Sequence, residues 1–250
     1  MCEKELAARA ASVATTLVGA LLLAWALIRL VPDASSALRY AALPDRSMQG
    51  DPPMGQHSGP MAVEWASLPT ACAAWVRVSG TSVDLPVAMA TEEDPEFYLS
   101  HDLWGSPTEM GCPFVDERCV SADSSLVVCY GHRTYLPSTM FGDLSLCWGQ
   151  AWFDQVGEMV WETPGLGATE LVPLCALRTE STWGQEALER GAAERMGAWL
   201  SCALAEASAS SPDARALAEG ATRCVTLVTC SETVPGMPWR TLVLFVDKNA

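Results

Sequence analysis

The stretch Val225–Glu232, with the sequence VTLVTCSE, constrains the fold more than any other part of this chain. It is a run of β-branched and aliphatic residues, typical of a buried strand, that ends on a cysteine followed by two polar residues. A second apolar run, RTLVLFV from Arg240 to Val246, begins shortly after it. Cys230 is open to four interpretations: a core residue, half of a disulfide, a metal ligand or a nucleophile.

Short strand-like runs separated by turn residues extend from about residue 66 to the end of the chain. WVRVSG followed by TSVDLPV alternates with a period of two, which predicts a hairpin. Further runs of this kind are Gly111–Asp116, Ser124–His132, Met159–Glu162 and Thr169–Leu177. This many short strands predicts a mostly β domain, a barrel or a sandwich.

Two segments of this domain have helical rather than strand-like spacing. Apolar residues recur at helical intervals between Thr182 and Glu206, with Glu and Arg on the other face, which predicts a helix packed on the sheet. A capped turn after it predicts a second, short helix that ends at Gly220.

The N-terminal region predicts a membrane anchor. No charged residue lies between Ala10 and Ile28, and a helix of that length would span roughly 29 Å, close to the thickness of a bilayer core. A cleaved signal peptide is the alternative, although its apolar region is usually shorter. The resulting division is a cytoplasmic N-terminus (1–9), a transmembrane anchor (10–31), a Pro-, Ser- and Gly-rich linker (32–65) and a folded domain (66–250).

The composition excludes some classes of partner and site. The formal net charge is −15 and no basic run is present, which argues against nucleic acid as a partner. The 10 cysteines suit an oxidising compartment and permit disulfides, such as one between Cys112 and Cys119. None of them has C-x-x-C spacing and the histidines are scattered, so neither a zinc site nor a thioredoxin-type dithiol is indicated.

Three residues at predicted strand ends suggest a common chemistry. His132 ends one run, Cys230 ends another and Arg240 opens a third, although each alone has an ordinary structural explanation. A thiol is a strong nucleophile only as the thiolate, which a neighbouring imidazolium stabilises before it protonates a leaving amine. A guanidinium keeps its proton and can donate to an oxyanion. Together, the three side chains would support acyl transfer through a thioester.

The motifs around these residues resemble those of the sortases, the cysteine transpeptidases that attach surface proteins on Gram-positive bacteria. TLVTC (Thr226–Cys230) matches the T-L-x-T-C motif of the family, YGHRTYLPSTMFGDL resembles its histidine strand and WRTLVLF its arginine strand. The segments WVRVSGTSVDLPV and FYLSHDLWGSPTEMGCPFVD are similar to class B in particular. The resemblance covers about residues 70–248.

The resemblance implies a fold and an activity. The fold would be the closed eight-stranded sortase β-barrel with added helices. Cys230 would be the nucleophile, His132 its acid/base partner and Arg240 the cation that stabilises substrate and oxyanion. The enzyme would cleave a C-terminal sorting signal of a surface protein and pass the acyl group to an amine on a peptidoglycan precursor or a pilin, without a metal or other cofactor.

Residues beside the motifs add candidates and one departure. Thr229, Ser231 and Glu232 flank the cysteine, and Glu232, at a position where class B relatives often carry an acid, would orient Arg240 or His132 or be a solvated loop carboxylate. The usual GHN of the family is Gly-His-Arg here, which places the cation of Arg133 beside the histidine.

Two other functions are compatible with the sequence. One is a tethered extracellular binding domain with a degenerate catalytic site, in which Trp104, Trp148 and Trp183 would lie on recognition loops. The other is a cysteine peptidase that hydrolyses its thioester. In each case we expect a single-pass protein of the bacterial cell membrane, with the domain outside.

Overall fold

The computed structural model describes residues 2–43, 63–134, 139–182, 192–232, 234 and 236–248. The chain divides into two compact units, Met1–Pro44 and Asp45–Ala250. The described part of the first unit is dominated by one helix, α1 (Cys2–Ala41). This helix continues through residues 32–41, which the sequence assigned to the linker, and residues 44–62 of that linker lie outside the described part.

The described residues contain no helix that combines the length and the apolar character needed to cross a bilayer. The transmembrane anchor expected at residues 10–31 remains a prediction from the sequence.

The second unit is built on nine short strands in its described part. They are β1 (Cys72–Val78), β2 (Asp84–Met89), β3 (Phe114–Val115), β4 (Leu126–Tyr130), β5 (Met159–Thr163), β6 (Gly167–Glu180), β7 (Ala209–Ser210), β8 (Cys224–Cys230) and β9 (Trp239–Asp247). Their order across the sheet is β5-β1-β2-β3-β4-β8-β9-β6-β7, and β5 also pairs with β6. That second pairing closes eight strands into a barrel, and β7 adds to β6 outside the ring. The closed eight-stranded barrel implied by the sequence is thus confirmed.

Short helices connect the strands of the barrel. The α-helices are α2 (Gln150–Phe153), α3 (Ala192–Glu206) and α4 (Ala214–Gly220), and the 3-10 helices are Trp65–Ser67, Phe97–Leu99, Glu117–Cys119 and Gly142–Leu146. Helices α3 and α4 occur where the sequence predicts them. Residues 183–191, which include Trp183 and the start of the predicted α3, lie outside the described part.

Strand β8 lies at the centre of the core. All of its residues from Cys224 to Thr229 are buried and only Cys230 is partly exposed. Side chains alternate between the two faces of a strand, so continuous burial means that both faces are covered. On one of them the Trp199 indole of α3 donates a hydrogen bond to the Thr226 hydroxyl at 3.0 Å. The near-continuous apolar run of β8 is therefore the signature of a strand covered on both sides.

The bond between Trp199 and Thr226 gives a test of how α3 is fixed to the barrel. Trp199→Phe should lower the free energy of unfolding by about 1–3 kcal/mol, because the buried Thr226 hydroxyl loses its indole donor. Urea unfolding at constant slope measures the change. Adding Thr226→Val should recover part of the loss, since that double variant removes the hydroxyl that has lost its indole donor. A Trp199→Phe protein as stable as the parent would contradict this account.

Candidate active site

The register of three neighbouring strands brings the sequence-predicted residues together. Strands β4 and β8 are parallel, with Tyr130 opposite Val228, and the Gly131 amide donates to the Val228 carbonyl at 2.9 Å. His132 and Cys230 each lie two residues beyond this pair, past the ends of the β4–β8 ladder. Strands β8 and β9 are antiparallel, and Cys230 lies directly opposite Arg240. The ends of three adjacent strands thus place the histidine, the cysteine and the arginine in one row.

Cys230 is the partly exposed residue at the end of an otherwise buried strand and has a free thiol. No hydrogen bond joins this thiol to His132 or Arg240 among the described residues. The strand before it is fixed by ladder pairs to both neighbours. The backbone therefore holds the free thiol at the rim of the barrel.

The imidazole of His132 is held by the 3-10 helix Phe97–Leu99, which lies far from it in sequence. Its Nε2 lies 2.7 Å from the Leu99 carbonyl oxygen. A carbonyl can only accept, so we assign the proton of the neutral ring to Nε2. Nδ1 is then the nitrogen that can take up a proton. The Leu99 carbonyl sets which nitrogen of His132 is basic.

The ring of His132 also depends on a glycine that the sequence did not single out. Gly111 has a φ of +64°, a backbone conformation that favours glycine. A Cβ added there would lie 2.8 Å from His132 Cδ2 and 2.6 Å from the Tyr98 carbonyl oxygen. Both the conformation and the close contact exclude a side chain at this position. The signal in the sequence was only the glycine in GCPFVD.

The guanidinium of Arg240 is anchored by one of its two terminal nitrogens. Nη1 donates to the carbonyls of Met237 at 2.8 Å and Trp239 at 3.1 Å. A guanidinium carries five N–H donors, and the three on Nε and Nη2 bind no acceptor among the residues that the structure describes. The loop before β9 therefore orients Arg240 while leaving most of its donors available.

Glu232 is bound to a cation other than the two that the sequence suggested. Its carboxylate accepts a hydrogen bond from Arg178 Nη2, rather than from Arg240 or His132. The Arg178 guanidinium also lies over the rings of Trp148 and Trp239, at 5.5 and 4.8 Å from their centroids. Stacking and ion pairing together fix the start of the loop between β8 and β9. Glu232 supports the site through that loop.

Ser231 and Thr229 have different surroundings. The Ser231 amide donates to the Trp239 carbonyl at 3.1 Å, and its hydroxyl lies 2.9 Å from that of Thr241. Thr241 in turn donates to the Ser145 carbonyl at 2.7 Å. Thr229 is only 2% exposed, and its hydroxyl has no hydrogen-bond partner among the described residues. Ser231 thus ties the end of β8 to β9, whereas Thr229 fills space beneath the cysteine.

The other thiols of the barrel are deeply buried. Burial raises the pKa of the Cys147, Cys175 and Cys224 thiols to about 12. Burial likewise raises the pKa of Cys129 well above its ordinary value. Cys112 and Cys119 are buried thiols rather than the disulfide that the sequence permits. Buried neutral thiols are poor nucleophiles, so these groups do not compete with Cys230.

The described residues include no group of three or more His, Cys, Asp or Glu side chains placed to hold a metal ion.

Comparison with known proteins identifies solved structures with a similar fold. No family profile matches the chain, and its sequence matches no curated protein. Solved structures are similar, however. Sortase B of Clostridium perfringens matches with a TM-score of 0.60 and 20% identity, over 72% of this chain and 94% of that one. A Staphylococcus aureus sortase B–substrate complex matches at 0.59 and 20%, over 72% and 80% of the two chains. Sortase B from Listeria monocytogenes matches at 0.56 and 18%, over 70% and 94%.

The chain therefore has a class B-like sortase fold, as the motifs around Cys230 implied. At these identities the likeness establishes the fold alone, and the activity rests on the residues of this chain.

The burial of the thiols predicts which cysteines react. In the native protein, iodoacetamide should modify Cys230 and the exposed Cys202 while sparing Cys129, Cys147, Cys175 and Cys224, whose neutral thiols stay protonated up to alkaline pH. Peptide mass mapping before and after denaturation measures this, and Cys230→Ala should remove one native label. Rapid native labelling of Cys224 or Cys129 would contradict the prediction.

Proposed function

We propose that this chain is a sortase-type cysteine transpeptidase of class B. It would cleave a C-terminal sorting signal through a thioester on Cys230 and transfer the acyl group to an amine. The observation that carries the proposal is the single row of His132, Cys230 and Arg240 across the ends of β4, β8 and β9. The similarity to sortase B structures supports it through the fold.

Cys230 and His132 form the reacting pair in this mechanism. The thiolate attacks the carbonyl carbon of the scissile bond, and His132, protonated at Nδ1, delivers that proton to the leaving amine. The bond from Nε2 to the Leu99 carbonyl orients the ring throughout, as a third group does in a catalytic triad. In the second half-reaction the incoming amine attacks the thioester, and His132 takes up its proton as the Cys230 thiolate leaves.

Arg240 would stabilise the tetrahedral intermediates of both half-reactions. Its donors on Nε and Nη2 can bind the oxyanion or a substrate carbonyl, while Nη1 remains on the carbonyls of Met237 and Trp239. A donor that is already fixed in place needs no reorganisation when negative charge develops. Lysine would provide the charge, but its ammonium lacks the planar set of five donors that lets the guanidinium bind two groups at once.

The partners follow from the chemistry of the two half-reactions. Solved sortase B complexes contain substrate in one case and triglycine in another, which supports a peptide donor and an amine acceptor. We propose a surface protein with a sorting signal as donor, and a peptidoglycan precursor or pilin as acceptor. The location is the outer side of a bacterial membrane, which the uncharged stretch Ala10–Ile28 supports.

The two alternatives are less well supported. A binding domain with a degenerate site would not need its histidine, cysteine and arginine aligned in one row. A peptidase would share the first half-reaction and differ only in using water as the acceptor.

The proposal predicts covalent chemistry at Cys230. The purified protein, incubated with a library of sorting-signal peptides, should release a fragment and retain an acyl adduct on Cys230. Added triglycine should convert the hydrolysis product into a product extended by the amine. Mass spectrometry of the protein and of the peptides, with and without triglycine, separates transfer from hydrolysis.

Two variants serve as controls. Cys230→Ala should form no adduct, and an adduct that survives this substitution would exclude the mechanism. Arg240→Lys should reduce turnover by about a hundredfold or more, the effect of losing one oriented donor to the oxyanion. Near-normal turnover of Arg240→Lys would exclude its assigned role, and cleavage without any extended product would identify a peptidase.

A further inference from the structure

The parallel pairing of β4 with β8 stops just before the reacting residues. Its ladder runs from Leu126 opposite Cys224 to Tyr130 opposite Val228, and the Gly131 amide donates to the Val228 carbonyl. His132 and Cys230 lie beyond this point. The approach of imidazole to thiol therefore depends on how the two strand ends are held past the ladder.

A side chain makes a connection between those ends. Nη1 of Arg133, the residue after His132, donates a hydrogen bond to the carbonyl of Ser231, the residue after Cys230. Arg133 is only partly exposed. The bond therefore joins the two residues that directly follow the reacting pair, one on each strand end.

Both sides of this bond are themselves fixed. On the histidine side, Arg133 pairs with Met140 in an isolated antiparallel bridge, and the Phe141 amide donates to the His132 carbonyl at 3.0 Å. On the cysteine side, Ser231 is bound to Trp239 and Thr241 of β9. The guanidinium thus links two anchored segments beyond the last pair of the β4–β8 ladder.

We propose that Arg133 is a positioning residue that sets the approach of His132 to Cys230 through its hydrogen bond to the Ser231 carbonyl. This inference rests on the proposed function, in which those two residues react together. The motif that the chain resembles carries asparagine at this position, and that side chain is too short to make the same span. Lysine has the reach and the charge but lacks the planar guanidinium that directs its donors.

The inference is tested with Arg133→Asn and Arg133→Lys in the full-length protein. Both should lower kcat for peptide cleavage about tenfold or more, as expected for losing a hydrogen bond from a charged donor, with KM changed less than about twofold. The iodoacetamide alkylation rate of Cys230 should fall in parallel, because a well-placed imidazolium stabilises the thiolate. Urea unfolding midpoints identify variants that are folded, and Arg133→Lys provides the comparison if Arg133→Asn is not.

Arg215 provides the matched control, since it is an exposed arginine on α4. Arg215→Asn should leave kcat and the alkylation rate unchanged. Parental rates in Arg133→Lys would assign the effect to charge and overturn the positioning role, as would a loss confined to KM. The alkylation measurement needs no peptide. If the parent cleaves nothing, the proposed function fails while the alkylation rates still decide the role of Arg133.

Discussion

The site depends on one constraint, the register of β8 between a parallel and an antiparallel neighbour. Pairing with β4 brings Cys230 and His132 to neighbouring strand ends, two residues past the last ladder pair, and pairing with β9 places Cys230 opposite Arg240. A shift of one residue would turn the cysteine to the other face of the sheet. Continuous burial from Cys224 to Thr229 makes such a shift costly, since it would exchange residues packed on both faces. The strand core therefore fixes the chemistry at its rim.

Main-chain carbonyls hold the polar groups of this rim. Leu99 binds the ring of His132, Met237 and Trp239 bind Arg240, and Ser231 binds Arg133. The carbonyls of Ser231 and Met237 belong to the connection between β8 and β9, Trp239 is the first residue of β9, and Leu99 ends a 3-10 helix. The pair of Arg178 and Glu232, stacked on two indoles, fixes the first of these segments. The segments next to the strand ends therefore orient the side chains of the site through their carbonyls.

Much of the barrel was predictable because strand signals are local. The alternating run Trp75–Val87 predicted the hairpin of β1 and β2. The apolar run of β8 predicted a strand covered on both faces. The tertiary roles of single residues were not predictable. Gly111 gave no signal of its contact with His132, and Glu232 gave none of its pairing with Arg178. Cys112 and Cys119, spaced as a disulfide loop would permit, are buried as thiols, because spacing does not fix the geometry of a disulfide.

The sequence by itself determined which elements form around the site: a buried strand just before His132, a buried strand that ends in Cys230, and a strand that begins beside Arg240. These properties depend on neighbours within a few residues. Tertiary structure alone decided how the strand ends align, which nitrogen of His132 is protonated and which carbonyl binds Arg133. Those contacts join segments up to about a hundred residues apart, and their partners are backbone atoms, which every residue type carries alike.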